Sequence, residues 1–230
     1  MSGDELSLPL EELGGVLSAP GRLRILDELL GGTPLPAGAL AARLGLAPST
    51  VSSHLSQLVG AGLISVEQAG RTRLARLANE GVADTVEALL RLSAESPISS
   101  LSGDRRRTAM RTARSCYDHL AGRVGTGLVD AGIQAGWLIA MDGGWRLRDS
   151  SVEAVEKSLQ LPVSLVDSPR PLIRACTDWT ERRPHMAGRL AKGLLDGVLA
   201  DGWVRRRQGD RALALTAKGR ERFSALGIEL

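Results

Sequence analysis

The hydrophobic positions in the N-terminal part of the chain repeat with a helical period and then change to a strand period. Residues 36–44 predict a short helix, and residues 45–47 predict a tight turn. A second helix begins at Pro48, because a proline at the first helical position gives up no hydrogen bond. Its apolar stripe consists of Val51, Leu55 and Leu58. Residues 63–78 alternate around a glycine-containing turn, which predicts a β-hairpin.

This order of helix, tight turn, helix and hairpin predicts a winged helix-turn-helix. The DNA major groove is about 12 Å wide and admits one helix, whose outer face needs small or polar side chains. The outer face of the second helix carries Ser49, Thr50, Ser52, Ser53, His54 and Gln57. The hairpin tip carries Arg71, Thr72 and Arg73, whose cationic groups suit phosphate contacts. These residues are the predicted DNA contacts. The alternative is a helix pair that only packs against another protein.

The segments RLRILDELL and ALAARLGLAPSTVSSHLSQLVGAGLISVEQAGRTRLARL resemble the ArsR-type family of bacterial winged-helix repressors. The resemblance implies a dimeric transcriptional regulator that binds double-stranded operator DNA. It also implies that the helix at 48–60 is the recognition helix and that the hairpin at 63–78 is the wing. The chain departs from the family in two ways. The family's Cys-x-Cys metal motif is absent from LAARLGLA, and the chain continues far beyond the resembling part.

The second part of the chain contains one segment twice. HLAGRVGTGLVDAGIQAGWL starts at His119, HMAGRLAKGLLDGVLADGWV starts at His185, and an Arg-x-Cys-x-Asp motif precedes each. Internal repetition indicates two like units packed around a pseudo-two-fold axis. The predicted domains are a winged helix-turn-helix at 1–94, a serine-rich linker at 95–104 and a duplicated effector or dimerisation domain at 105–230. The repeats span about 105–161 and 168–230, and each is predicted as helix, helix and hairpin, the outline of a winged helix.

The repeated motif places cysteine and histidine near each other in both copies. Cys116 and His119 have the spacing C-x-x-H, which predicts one shared helix face, and a helix through Cys176 is expected before His185. Two cysteines and two histidines satisfy tetrahedral zinc if the repeats meet there. A structural role, with each cysteine a small buried hydrophobe, is the main alternative. Thiol-based or haem-type sensing is a further one, so the candidate cofactors are zinc and haem, and neither is certain.

Composition narrows the class of protein without naming its function. The 230 residues carry a formal net charge of +3 and a pI near 9.3, a mild basic bias that is compatible with nucleic acid. Two cysteines are too few for a disulfide scaffold. The acidic N-terminus lacks a signal-peptide pattern and no apolar stretch is long enough to span a membrane, so we expect a cytoplasmic protein without membrane partners. GRVGTG lacks the features of a P-loop, and no nucleophile–base pattern indicates an enzyme.

The sequence therefore predicts a mainly α fold with small β-hairpins, in which a winged helix-turn-helix precedes a tandem of winged-helix-like repeats. The predicted function is sequence-specific DNA binding by a dimeric repressor, whose affinity is set through the C-terminal domain by a small molecule or a metal. One alternative is a metal-, haem- or thiol-sensing regulator that uses Cys116, His119, Cys176 and His185. The other is an interaction protein that binds no DNA.

Overall fold

The computed structural model describes residues 8–93, 101–148, 152–207 and 210–230, with their side chains except at 101–104. The chain divides into two compact units, Met1–Val86 and Glu87–Leu230. This division falls inside a helix, ahead of the predicted boundary at 94. Residues 101–104 belong to a helix, and the other residues of the linker predicted at 95–104 lie outside the described part of the chain, so the linker stays a prediction.

The first unit contains the predicted winged helix-turn-helix. Its helices are α1 (Leu10–Leu17), α2 (Pro20–Leu29), α3 (Ala37–Leu44) and α4 (Pro48–Gly60). Its strands are β1 (Leu35–Pro36), β2 (Ile64–Ala69) and β3 (Thr72–Leu77), which form an antiparallel sheet in the order β1-β3-β2. Helix α5, Glu80–Leu92, begins in this unit and ends in the second. These bounds confirm the helices predicted at 36–44 and from Pro48, and the hairpin predicted at 63–78.

Local signals in the sequence explain this part of the fold. Pro48 is the first residue of α4, where it loses no hydrogen bond. Gly45 ends α3 in the left-handed conformation, with a φ of 64° that residues with a side chain rarely adopt. Val51 and Leu58 are fully buried and Leu55 is half-buried, so the apolar stripe of α4 packs into the core. The polar side of α4 consequently faces solvent.

The second unit repeats the order hairpin, helix, hairpin, helix after its first helix, α6 (Leu101–Thr112). The first set consists of β4 (Arg114–Cys116), β5 (His119–Ala121), α7 (Gly122–Gln134), β6 (Leu138–Met141), β7 (Gly144–Leu147) and α8 (Glu153–Leu159). The second set consists of β8 (Arg174–Thr177), β9 (Pro184–Ala187), α9 (Arg189–Ala200), β10 (Val204–Arg206), β11 (Leu213–Leu215) and α10 (Ala217–Ala225). The strands pair antiparallel as β4–β5, β6–β7, β8–β9 and β10–β11.

Strands replace the predicted helices at both cysteines. Cys116 and His119 lie on the β4–β5 hairpin, and Cys176 lies on β8, so the helix prediction is wrong at both places. The predicted outline of helix, helix and hairpin is wrong for the same reason. Every residue of β4 and β5 is buried, which removes the alternation of polar and apolar residues that identifies a strand. The turn between them holds Tyr117 at a φ of 55°.

The core of the second unit forms where its two halves meet. Helix α7 packs on β9, α9 packs on β5, and β5 packs against β9, so the helix of each half covers the first hairpin of the other. The chain comes close to itself where these helices begin. A Cβ on Gly122 (φ 76°) would lie 2.6 Å from the carbonyl oxygen of Arg111, and one on Gly188 (φ 92°) would lie 2.7 Å from that of Pro171. Glycine is therefore required at both positions.

Among the residues that the structure describes, none of the helices combines the length and the apolar character that crossing a bilayer requires.

Candidate nucleic-acid interface and buried Cys–His cluster

Helix α4 has an apolar face toward the core and a polar face toward solvent over most of its length. The exposed members of the predicted contact set on this helix are Ser49, Thr50, Ser52, Ser53 and Gln57. Their short side chains allow a close approach, and hydroxyl and amide groups donate or accept hydrogen bonds at base edges and phosphates. The helix thus presents to solvent the kind of surface that a major groove accepts.

His54 and Gln57 are both held by α2. The imidazole of His54 is half-buried, and a Cβ on Gly21 would lie 2.5 Å from its Nε2 atom. The side-chain carbonyl of Gln57 accepts a hydrogen bond from Nη1 of Arg22 at 2.6 Å. Arg22 also donates to the backbone carbonyl of Gly15 at 2.9 Å. The exposed amide of Gln57 therefore lies beside Arg22, whereas the imidazole of His54 packs against Gly21 of α2. The sequence pattern gave no signal for Arg22.

The wing presents its cationic side chains near the turn of the β2–β3 hairpin. Ala69 pairs with Thr72, so Gly70 and Arg71 form the turn, and Gly70 has a φ of 59°. Arg71, Thr72 and Arg73 are all exposed. The guanidinium of Arg71 therefore stands at the turn itself, and that of Arg73 stands on the strand that leaves it.

Four buried side chains of the second unit converge on one point. Cys116 and His119 are directly opposite each other across β4–β5, and Cys176 and His185 are directly opposite across β8–β9. The four ligand atoms all lie within 4.8 Å of one another. The Nε2 atoms of His119 and His185 are 3.0 Å apart, and each of the four residues is at most 5% exposed. The structure therefore brings together all four residues of the predicted sensing set.

An aspartate lies beside each of the two histidines. Nδ1 of His119 is 3.5 Å from Oδ1 of Asp118, and Nδ1 of His185 is 3.4 Å from Oδ2 of Asp178. Arg170 donates to both carboxylate oxygens of Asp118, at 2.5 and 3.2 Å. Both carboxylates thus lie on the Nδ1 side of the imidazoles, which leaves the two Nε2 atoms facing each other.

Asp178 is also the centre of a buried ionic network. Its carboxylate lies 3.0 Å from Nη2 of Arg114 and accepts a hydrogen bond from the backbone N–H of Gly122 at 2.7 Å. Glu87 lies 3.8 Å from Arg114 and 3.5 Å from Arg211, and all of these side chains are at most 3% exposed. The network fixes Asp178 in the position from which it faces His185. Sequence reasoning missed it, although Arg114 and Asp178 both belong to the repeated Arg-x-Cys-x-Asp motif.

The electrostatics of the cluster distinguish the two cysteines. The hydrogen bond with Cys176, together with burial, raises the pKa of the Cys116 thiol well above its usual range. The same hydrogen bond lowers the pKa of Cys176 against the effect of burial, with help from His119 and His185. Burial disfavours the charged form of His119, but hydrogen bonds with Asp118 and Cys176 raise the pKa of His119 to about 9. Burial likewise opposes ionisation of Asp178, but Arg114 and His185 hold the pKa of this carboxyl below its usual range.

Comparison with known proteins identifies relatives of both units. A family model described as a helix-turn-helix domain matches residues 17–67. The HTH-type transcriptional regulator YdfF of Bacillus subtilis (strain 168) is 34% identical over 214 residues, which cover 93% of this chain and 95% of that protein. The HTH-type transcriptional regulator CmtR of Mycobacterium tuberculosis (strain ATCC 25618 / H37Rv) is 41% identical over 92 residues, which cover 38% of this chain and 77% of CmtR.

A solved structure adds a further similarity. The solution NMR structure of Mb0332 from Mycobacterium bovis, described as a homodimeric winged helix-turn-helix DNA-binding domain, is 31% identical in sequence. The alignment covers 36% of this chain and 75% of that one, with a TM-score of 0.33. The match to YdfF, in contrast, extends over nearly the whole chain and therefore includes the second unit.

Proposed function

Because the chain belongs to the ArsR-type family of winged helix-turn-helix transcriptional regulators, we propose that it is a dimeric repressor that inserts α4 into the major groove of operator DNA. The observation that supports this most directly is the division of α4 into a buried apolar stripe and an exposed row of small hydroxyl side chains. A dimer reads two half-sites related by a two-fold axis, so the operator is a short pseudo-palindrome.

The wing supplies contacts to the DNA backbone. Arg71 and Arg73 are exposed near the hairpin turn, where a guanidinium reaches phosphates or the minor groove beside the recognition helix. Phosphate contacts position the protein without reading the sequence, whereas the polar face of α4 supplies the base contacts. DNA binding of this kind is a cytoplasmic activity, so localisation in the cytoplasm is part of the proposal.

The second unit sets the operator affinity in this proposal, and its two halves arise from a duplication. The repeated element order and the reciprocal packing of α7 on β9 and of α9 on β5 support the duplication. An effector that binds one state of the dimer better than another shifts the operator affinity by that difference. No catalytic step is part of the proposal.

The test is selection of bound sequences from a random DNA pool, followed by titration of the selected operator at several salt concentrations. We expect a preferred pseudo-palindrome, and log affinity that falls linearly with log salt. Arg71→Ala and Arg73→Ala should each reduce that slope by about 1. Arg76→Ala is the matched control, because Arg76 lies on the same hairpin, next to Glu67 at 3.5 Å. Binding without sequence preference would contradict the proposal, and an unchanged slope in the wing variants would remove the wing contacts from it. Absence of any DNA binding would favour an interaction protein.

A further inference from the structure

We propose that Cys116, His119, Cys176 and His185 bind one Zn²⁺ ion through two sulfurs and two Nε2 nitrogens, in a closed tetrahedral site. The site lies wholly within Glu87–Leu230, whereas the proposed DNA-binding residues lie in the first unit. Metal binding and operator binding are therefore separate measurements, and either can fail without the other.

The donor set and its spacing fit a single zinc ion. Zn²⁺ prefers four sulfur and nitrogen ligands in a tetrahedron, with Zn–S near 2.3 Å and Zn–N near 2.0–2.1 Å. Ligand atoms around such an ion are about 3.3–3.8 Å apart, by the geometry of a tetrahedron with those bond lengths. The four ligand atoms already lie within 4.8 Å of one another, and the two Nε2 atoms are 3.0 Å apart. Small side-chain shifts are enough to complete the coordination.

The histidines are oriented as metal ligands are. A ligating histidine usually donates its other ring N–H to a carboxylate, which fixes the ring and selects the nitrogen that binds the metal. Asp118 lies on the Nδ1 side of His119 and Asp178 on the Nδ1 side of His185. When both Nδ1 atoms carry hydrogen, the two Nε2 lone pairs point at each other, and a cation between them removes the repulsion. Asp118 and Asp178 are thus positioning residues for the site.

Burial and charge also favour an ion at this point. Cys116 is 1% exposed and Cys176 is 5% exposed, and buried charges in proteins are paired or coordinate metals. Two thiolates balance the two positive charges of Zn²⁺, so the bound site is neutral before its surroundings are counted. On binding, each cysteine that carries a thiol proton and each imidazole that is protonated at Nε2 release that proton to solvent, and the four bonds to zinc form without oxidation or reduction.

The pairing of strands explains how two different spacings make one symmetric site. Residues directly opposite across an antiparallel pair have side chains on the same face. Each of the two hairpins thereby presents one cysteine beside one histidine. The loop of the first hairpin is short and that of the second runs from Asp178 to Arg183, which changes the spacing in sequence but leaves the pair in place.

The same geometry argues against haem. The four ligand atoms converge within 4.8 Å, which leaves no width for a porphyrin ring between them. A disulfide between Cys116 and Cys176 is the remaining rival, because neither cysteine forms a disulfide in this structure. A disulfide involves neither histidine, however, so it leaves their paired orientation unexplained.

The first experiment measures metal in the full-length protein. Protein purified under reducing conditions is analysed for zinc, stripped with a chelator and titrated with Co²⁺. We expect one equivalent of zinc, and with Co²⁺ one equivalent that gives the visible bands of tetrahedral coordination and thiolate-to-cobalt charge transfer. Zn²⁺ should displace the Co²⁺. Absence of a metal, octahedral Co²⁺ spectra, or a Cys116–Cys176 disulfide formed under reducing conditions would overturn the proposal.

Substitutions then locate the site. Cys116→Ser and His185→Ala should weaken Co²⁺ binding by roughly 100-fold or more, and Asp118→Asn by about 10- to 100-fold. His119→Cys should retain the metal and show stronger charge transfer, because it replaces nitrogen by a third thiolate. His54→Gln is the matched control, because His54 is the third histidine of the chain and lies in the first unit. Metal binding that survives Cys116→Ser, or that is lost in His54→Gln, would overturn the assignment.

Thermal unfolding gives a readout that does not depend on spectroscopy. Zinc that binds the folded state stabilises it by mass action, so stripping the wild type should lower its Tm by on the order of 10 °C. In Cys116→Ser the same chelator should leave the Tm unchanged. If the wild type and this variant respond equally to the chelator, the cluster is not the metal site.

Discussion

The two units place their polar side chains in opposite environments. Helix α4 exposes its small hydroxyl residues, whereas the second unit buries two cysteines, two histidines and the ionic network around Asp178. Exposed polar groups are satisfied by water until a partner replaces it, but buried ones must be satisfied by one another. A substitution on the exposed face of α4 should therefore change DNA binding, and one around the buried cluster should change stability.

The largest expected effect comes from removing the carboxylate at the centre of the buried network. Asp178→Ala leaves Arg114, which is 0% exposed, without its closest anion at 3.0 Å. Breaking a buried ion pair on one side costs about 3–5 kcal/mol of unfolding free energy. The measurement is urea denaturation of chelator-treated protein, so that loss of a metal does not contribute.

The control for this prediction is an ion pair at the surface of the same unit. Asp130 lies 2.7 Å from Arg183, and their side chains are 58% and 47% exposed. Exposed pairs contribute about 0–1 kcal/mol, so Asp130→Ala should be nearly neutral. Equal costs for Asp178→Ala and Asp130→Ala would show that burial is not what distinguishes the two.

A second prediction compares neighbouring residues on α4. Leu58 is 0% exposed and Val59 is 43% exposed. Leu58→Ala should lower the unfolding free energy by about 2–5 kcal/mol, because it removes apolar contacts and leaves a cavity. Val59→Ala should lower the unfolding free energy by only about 0.5 kcal/mol. Urea denaturation of both variants checks the orientation of the helix, and a reversed order would show that it is rotated.

A third prediction separates backbone strain from steric clash. Gly122 and Gly143 have nearly the same φ, 76° and 77°, but a Cβ at Gly143 meets nothing within 4 Å. Gly143→Ala should cost only the conformational penalty of about 1–2 kcal/mol. Gly122→Ala should cost roughly 2–4 kcal/mol, because its Cβ also meets the carbonyl oxygen of Arg111. Thermal denaturation of the two variants measures the difference, and equal losses would refute the close contact.

The smallest effect on stability is expected on the exposed face of α4. Ser52→Ala should change the unfolding free energy by no more than about 0.5 kcal/mol, because Ser52 is exposed. Its operator affinity should fall by about 1 kcal/mol, the usual worth of one hydrogen bond. Titration of the selected operator, beside urea denaturation, distinguishes the two quantities. If Ser52→Ala lowered the unfolding free energy and left the operator affinity unchanged, the exposed face of α4 would contribute to stability and not to binding.

The first unit could be predicted from the sequence because its signals are local. The turn at Gly45, the helix start at Pro48 and the apolar stripe of Val51 and Leu58 are only a few residues apart. The structure contains α4 and the β2–β3 hairpin at the positions that the sequence predicts. The same reasoning missed Arg22, since its hydrogen bond to Gln57 joins residues on two helices. The predicted DNA contacts themselves remain a prediction.

The second unit could be predicted only as a repeat. Full burial of β4 and β5 concealed their strand period, so a helix was expected where a hairpin occurs. The sequence pointed to the four residues of the candidate zinc site because they are cysteines and histidines. Their closeness in space, however, depends on two strand pairings and on the packing of β5 against β9. Pairing and packing are long-range properties, which spacing along a chain does not encode.

The pairing of cysteine with histidine across each hairpin has a consequence for recognising such proteins from sequence. A pattern written as two copies of C-x-x-H passes over this chain, because the second copy contains a longer loop. A pattern written as two strand partners, with the loop length left free, finds both copies. Insertions in the loop then count as neutral changes, whereas a shift of one residue in either strand counts as loss of the site.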